Sequence, residues 1–207
     1  MSTERISGHM LPRGFTRRGF MGAAAALGAG TALIGSMGRP AFGAPKKGGT
    51  FRLGIGHGST TDSLDPGSFE NLYMQVLGGA VHNKLTEVNN AGEVVPEIAE
   101  SWDVSPDATI WTFTLRKGVE FHNGKTVDAD DVIASFRHHM GEDSKSAAKA
   151  ILEPIADIKK DGNNKIVFTM KTGNADFPFI VSDYHVAILP SKDGAVEANS
   201  GNGCGGY

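Results

Sequence analysis

Three features of this 207-residue sequence predict an α+β fold. Short runs of alternating polar and apolar residues recur between residues 85 and 171, the period of half-buried strands. Clusters of Asn, Asp, Ser, Pro and Gly separate those runs at hairpin spacing. Only a few stretches carry apolar residues at helical spacing. A chain of this kind makes small antiparallel sheets with a few helices packed on them.

Composition narrows the function classes. Hydrophobic residues make up 40% and charged residues 21%, which is ordinary globular usage. A net charge of −3 leaves no basic footprint, so no nucleic-acid partner is expected. The single Cys excludes an internal disulfide framework and a multi-cysteine metal site.

Residues 1–43 read as an export address. Arg5, Arg13, Arg17 and Arg18 face only Glu4, and residues 19–38 are uncharged and rich in Ala and Gly. Ala41 and Gly43 then place small residues two apart. Basic, apolar and small-residue regions in that order define a secretory signal. A membrane span needs about 20 predominantly apolar residues, and this run is diluted by Gly, Ser and Thr. Arg17, Arg18 and Phe20 resemble the twin-arginine export motif, a receptor-read address rather than an anchor. No Cys follows the apolar region, so no lipid anchor is expected. The mature chain is expected to begin near Ala44, soluble in the periplasm.

Residues 50–55 alternate and predict a first strand, followed by a small polar loop over 56–62. Between 71 and 84, Leu72, Val76, Leu77, Ala80 and Val81 predict a helix with that apolar face. Residues 85–88 and 93–95 flank an Asn-Asn-Ala-Gly hairpin loop. Residues 102–104 precede a Ser-Pro-Asp turn, and 109–115 put Trp111, Phe113 and Leu115 on one side. Residues 119–121 lead into Asn123-Gly124, a tight-turn signal. Asp128 and Asp131 open a helix whose buried stripe is Val132, Ile133, Phe136 and Met140. A short helix over 146–152 ends before Pro154. Residues 155–159 and 165–171 form another hairpin, and 186–189 a last strand before Pro190. The end, 201–207, is glycine-rich without a closing element. The first strand has no partner in the rest of the chain, so the sequence reads as a fragment that stops mid-fold.

Several blocks then resemble one family. Gly48 to Arg52, Leu64-Asp65-Pro66 and Leu85 to Val88 match its beginning. The longest stretches are 95–102 and 111–124, and Asp128-Ala129-Asp130-Asp131-Val132 matches its helix start. Together they resemble extracellular solute-binding protein family 5, the peptide, nickel and oligosaccharide receptors of ABC importers. The resemblance implies an α/β fold of the periplasmic-binding-protein type, two lobes joined by hinge strands with the ligand enclosed between them. It implies that only the N-terminal portion of lobe I is present. Residues 1–43 are then the signal, 44–84 the start of lobe I, 85–190 its small subdomain and 191–207 the return toward lobe I. Gly203 to Tyr207 resembles the family's Gly-Thr-Gly-Pro-Tyr, with Cys204 and Gly206 in the Thr and Pro positions.

Candidate chemistry reduces to loops. Trp102, Trp111, Phe113 and Phe121 alternate along strands and read as core rather than ligand stack. Asp128, Asp130 and Asp131 lack the spacing and turn Gly of a cation loop and read as a helix cap. His57, His82, His122, His138, His139 and His185 form no metal-ligand motif, so no metal is expected. Cys204 has no His or acid fixed nearby in sequence, and neither a nucleophile elbow nor a P-loop occurs. Ligands of open α/β sheets sit beyond the strands' carboxyl ends, which singles out His57, Thr60, Thr61 and Leu64. The resemblance implies that Phe69, Glu70, Asn71, Leu72 and Tyr73 approach the ligand backbone. It also implies that the loop after Met140, with Ser144 and Ser146, faces the same cleft. The expected function is capture of peptides or similar small polar solutes and delivery to an ABC permease in the inner membrane. No catalysis and no cofactor are expected, and the protein is expected to be monomeric. The alternatives are a twin-arginine-exported enzyme and a periplasmic sensory receptor of the same fold.

Overall fold

The computed structural model describes residues 48–205. The signal expected over 1–43, with Arg17, Arg18 and Phe20, lies outside the described residues. From Leu53 onward the described chain forms one compact unit.

The unit begins with a loop and a short 3-10 helix, Pro66–Ser68, followed by α1 (Leu72–Val81). Asn71 caps α1, its Oδ1 accepting from Met74 N at 3.0 Å. Then β1 (Thr86–Val88) and β2 (Val94–Pro96) pair antiparallel as the expected hairpin. In its loop the Asn89 side chain accepts from Ala91 N and Glu93 N, and Gly92 takes φ +81°.

A four-stranded antiparallel sheet organises the rest. Its strands are β3 (Ala99–Val104), β4 (Ile110–Leu115), β5 (Ile155–Lys160) and β6 (Lys165–Met170), in the order β3-β4-β6-β5. Trp111 pairs with Phe168 and Phe113 with Ile166, so the alternating apolar residues share one face. Phe168 lies 5.0 Å from Phe177 and 4.9 Å from Phe136, centroid to centroid. Edge-to-face packing at such separations adds about 0.5–1.5 kcal/mol per pair beyond area burial. Trp111, Phe113 and Phe121 are buried and Trp102 packs against them, as the alternation predicts.

The helix α2 (Ala129–Met140) packs on β5 and β6. Asp128 accepts from Asp130 N and Asp131 N, and Asp131 Oδ2 accepts from Asp128 N, a complete capping box. Asp131 is fully buried, and its Oδ1 accepts from Ser191 N and Oγ and from Lys125 Nζ. A buried carboxylate persists only with this degree of satisfaction. Short helices α3 (Lys149–Leu152) and α4 (Phe177–Ile180) and the hairpin β7 (Ser191–Lys192) with β8 (Ala195–Val196) complete the chain.

The structure departs from the sequence reading in four places. Residues 51–55 form no strand, and Phe51 and Leu53 are exposed. Their alternation finds no pairing backbone among the described residues, so the strand expected there does not form. On α1 the buried residues are Met74 and Gly78, whereas Leu72 and Val76 of the predicted face are exposed. Residues 186–189 are buried but lie outside any ladder. Ile188 N donates to Asn83 O and Leu189 N to Ser135 Oγ instead. The helix predicted over 146–152 shortens to α3: Ser146 accepts from Ala148 N through Oγ and from Lys149 N through its carbonyl oxygen, a capped turn that precedes the helix.

Candidate functional site

Asp65 is the anchor of a polar cleft. Pro66 sits at the first position of the 3-10 helix, and Asp65 caps it by accepting from Gly67 N at 2.9 Å. His138 on α2 points Nε2 at both Asp65 carboxylate oxygens, at 3.0 and 3.1 Å. Ser68 Oγ donates back to Asp65 O at 2.7 Å. The opposite wall is the loop after α2. Its Ser146 Oγ lies 2.8 Å from His139 Nδ1, and Ala147 N donates to Gly67 O. A Cβ on Gly67 would lie 2.7 Å from Ser146 Oγ, so the walls meet only because residue 67 is glycine. The cleft encloses about 440 Å³ and is lined by Asp65, Gly67, Ser68, His138 and residues 141–146.

The electrostatics divide the two adjacent histidines. The Asp65 hydrogen bond raises the His138 pKa and outweighs burial, which lowers it. Burial works against ionisation of Asp65. The His138 hydrogen bond, the Gly67 N–H and the charges of His138 and His139 overcome it and lower the Asp65 pKa. His139 is fully buried, and burial together with the His138 charge pushes its pKa down to about 4. It is therefore neutral near pH 7. The Ser146–His139 contact has the reach of a nucleophile–base pair, but no acid orients the ring. Nε2 of His139 is buried without a partner among the described residues. So weak a base serves as a pin. What the cleft offers chemically is an ion pair, hydroxyls on Ser68 and Ser144, carboxylates on Glu142 and Asp143, and the Lys145 ammonium.

The residues singled out in the sequence fall into two groups. Ser144 and Ser146 line the cleft. His57, Thr60, Thr61 and Leu64 are exposed on the preceding loop and do not line it. His57 holds φ +74°, unusual for a residue with a Cβ. Thr61 Oγ1 bonds Ser59 Oγ, and Leu64 N donates to Asn199 Oδ1. Glu70, Leu72 and Tyr73 are exposed, and Asn71 Nδ2 donates to Asp62 Oδ1 at 2.7 Å. Phe69 is buried over Gly78, and its carbonyl oxygen lies 3.1 Å from His185 Nε2. Asp65, Ser68 and His138 of the cleft were not singled out as binding residues, whereas Lys145 lies in the loop 143–146 expected to face it. Asp65 stood in the Leu-Asp-Pro block, and His138 was considered only for metal.

No group of three or more His, Cys, Asp or Glu residues suited to a metal ion occurs among the described residues. Cys204 is partly buried, and burial pushes its thiol pKa up to about 11, away from nucleophile behaviour.

Comparison with known proteins identifies the family. A family model described as bacterial extracellular solute-binding proteins, family 5 Middle, matches residues 93–207. Di/tripeptide-binding protein 1 of Pseudomonas aeruginosa (strain UCBPP-PA14) is 43% identical over 145 residues, 58% of this chain and 27% of that protein. The nickel-binding periplasmic protein of Escherichia coli (strain K12) is 33% identical over 100 residues, 48% of this chain and 19% of that one. Among solved structures, the periplasmic binding protein DppA from Helicobacter pylori in complex with the peptide STSA is 29% identical with a TM-score of 0.56. That superposition covers 64% of this chain and 29% of DppA. The matched stretch thus spans less than a third of each of these relatives. The mixed helix-and-strand fold is that of periplasmic binding proteins, and the chain belongs to the bacterial extracellular solute-binding proteins of family 5.

Proposed function

We propose that this protein is the substrate-binding component of an ABC importer for peptides or similar small polar solutes. It acts by capture, without chemistry on the ligand. The observation that carries the reading is the meeting of Asp65 and Ser68 with Ser144 and Ser146 in one polar cleft of a family member. The Pseudomonas and Escherichia relatives take di- and tripeptides or nickel by name. An ion pair, hydroxyls and fixed carboxylates suit the amide and charged groups of a short peptide.

In this reading the protein is exported to the periplasm by the twin-arginine route, without a lipid anchor. It is monomeric and docks on permease subunits of the inner membrane. Residues 85–190 form the small subdomain of lobe I, between its start (44–84) and the return (191–207). His57, Thr60, Thr61, Leu64 and the exposed Glu70, Leu72 and Tyr73, with Asn71, approach the ligand in this reading, and the buried Phe69 holds their segment in place. Capture is a population shift toward a closed form, limited by the ligand's differential affinity for it.

Native mass spectrometry of the protein purified from its own periplasm tests the reading. A non-covalent adduct of small-peptide mass is expected. The same peptide should bind the Asp65→Asn variant about tenfold more weakly, the scale of one charge-assisted hydrogen bond. An adduct that leaves with a covalent change to the peptide would instead make the protein an enzyme.

A further inference from the structure

Strand β3 is an edge of the four-stranded sheet. Ser105 N donates to Ile110 O at 2.9 Å, one step beyond the paired residues Val104 and Trp111. Backbone groups alternate along an antiparallel strand, so Asp103 also turns its N–H and C=O toward β4. Trp102 and Val104 turn theirs outward. Neither makes a backbone hydrogen bond on that side to another described residue. Such an edge is a template for a further strand.

A cleft opens beside this edge. It encloses about 520 Å³ and is lined chiefly by Val94, Trp102, Trp111, Asp176, Pro178 and Phe179. Phe179 is 55% exposed and Val104 49%. Trp111 Nε1 donates to Asn174 O, so that indole offers the cleft only apolar surface. Open apolar surface beside unpaired backbone marks an interaction site.

The charge around the cleft has one sign. Residues 85–115 hold Glu87, Glu93, Glu97, Glu100, Asp103 and Asp107 and no Lys, Arg or His. Residues 172–184 add Asp176 and Asp183, again without a basic residue. Of these carboxylates only Glu97 and Asp183 have an ion-pair partner among the described residues, in Lys84 and His185. Glu100 and Asp103 are exposed on β3 itself. Two copies of this edge laid side by side would bring Glu100 and Asp103 of one against those of the other, and like charges repel. A strand that carries lysine or arginine meets opposite charge instead. Its apolar residues then reach the indole and phenyl surfaces of the cleft.

We propose that the outer edge of β3 and the cleft beside it dock an extended cationic segment of a partner protein, which adds a strand to the sheet. This surface shares no residue with the cleft at Asp65 and is independent of the identity of the solute.

Both tryptophans of the chain line this cleft, so tryptophan emission reports on it alone. The probe is a blocked hexapeptide of alternating lysine and valine, titrated into the full chain. A saturable change in emission is expected, with none from the glutamate–valine counterpart. Replacing one central valine by proline should weaken binding about tenfold, because proline gives no N–H to a ladder. With Glu100→Lys and Asp103→Lys combined, the preference should invert: the glutamate peptide binds and the lysine peptide does not. Both side chains are exposed, so the fold tolerates the exchange. Amide hydrogen exchange gives a reading free of variants. The lysine peptide should slow exchange at Trp102 and Val104 and leave Asp103, already turned to β4, as it was. Unchanged emission up to about 1 mM lysine peptide overturns the proposal, since even a weak contact shows at that level. So do equal responses to the two peptides, an unaltered preference in the double variant, or full tolerance of proline. Protection of Trp102 and Val104 that grows with protein concentration alone would make the occupant a second copy, and that too overturns it.

Discussion

Gly78 lies inside α1, where alanine favours a helix by about 1 kcal/mol over glycine. Packing reverses that preference. A Cβ at residue 78 would lie 2.4 Å from Cε2 of Phe69, and Phe69 is itself buried with its carbonyl beside His185. Overpacking of this kind costs about 1–3 kcal/mol. Gly78→Ala should therefore lower stability by up to about 2 kcal/mol net, read as a lower urea midpoint; a raised midpoint would mean that the ring moves aside freely. Single residues of the cleft were hardly legible in the sequence. Asp65 and His138 stand 73 residues apart, and nothing local in either segment announces the other. The neighbours His138 and His139 look alike in sequence, yet one pairs with a carboxylate and the other is buried on a serine hydroxyl.

Elements were legible where the pattern and the cap agreed. The alternation of Trp111, Phe113 and Leu115 set the buried face of β4, and Asp128 with Asp131 marked the start of α2. That start is checkable. Asp128→Ala removes an acceptor used by two backbone N–H groups, at a cost of about 1 kcal/mol in the urea unfolding free energy. No change would mean that water satisfies both donors equally well. The face of α1 was misread for a physical reason. Periodicity shows that an apolar stripe exists but not which side the neighbours cover. The contact surface of α1 runs through Gly78, which no hydrophobicity pattern marks. Residues 51–55 and 186–189 show the same limit from the strand side. Their patterns suit a ladder, but the first has no partner among the described residues, and the second gives its N–H groups to Asn83 and to a side chain on α2.

At the scale of the whole molecule, the buried histidines tie stability to pH. His82 and His139 are each held down to about 4 in the folded chain, chiefly by burial. In the unfolded chain a histidine titrates near 6.5, roughly. Between these values the unfolded state binds more protons, so stability falls as the pH drops. Each group contributes a slope of up to about 1.4 kcal/mol per pH unit in that window. His138 runs the other way. Its folded pKa is raised, so its contribution is fully present below the unfolded value and is lost as pH rises through the folded one. Urea unfolding between pH 7 and pH 4.5, roughly the window between folded and unfolded values, should show a steep loss toward acid. His139→Asn should remove about one proton's worth of that slope. A stability that stays level across the window would contradict the assignment of both groups as buried and neutral.

Ser146 Oγ belongs to two environments at once. It lines the cleft, and it lies 2.8 Å from His139 in the core, in the place a Cβ on residue 67 would fill. The barrier between solute and core is there a single hydroxyl. That hydroxyl also accepts from Ala148 N, and the other ring nitrogen of His139 has no partner among the described residues. Removing the one oxygen would therefore leave the buried His139 ring without a hydrogen bond among the described residues and free an N–H of the loop at the same time.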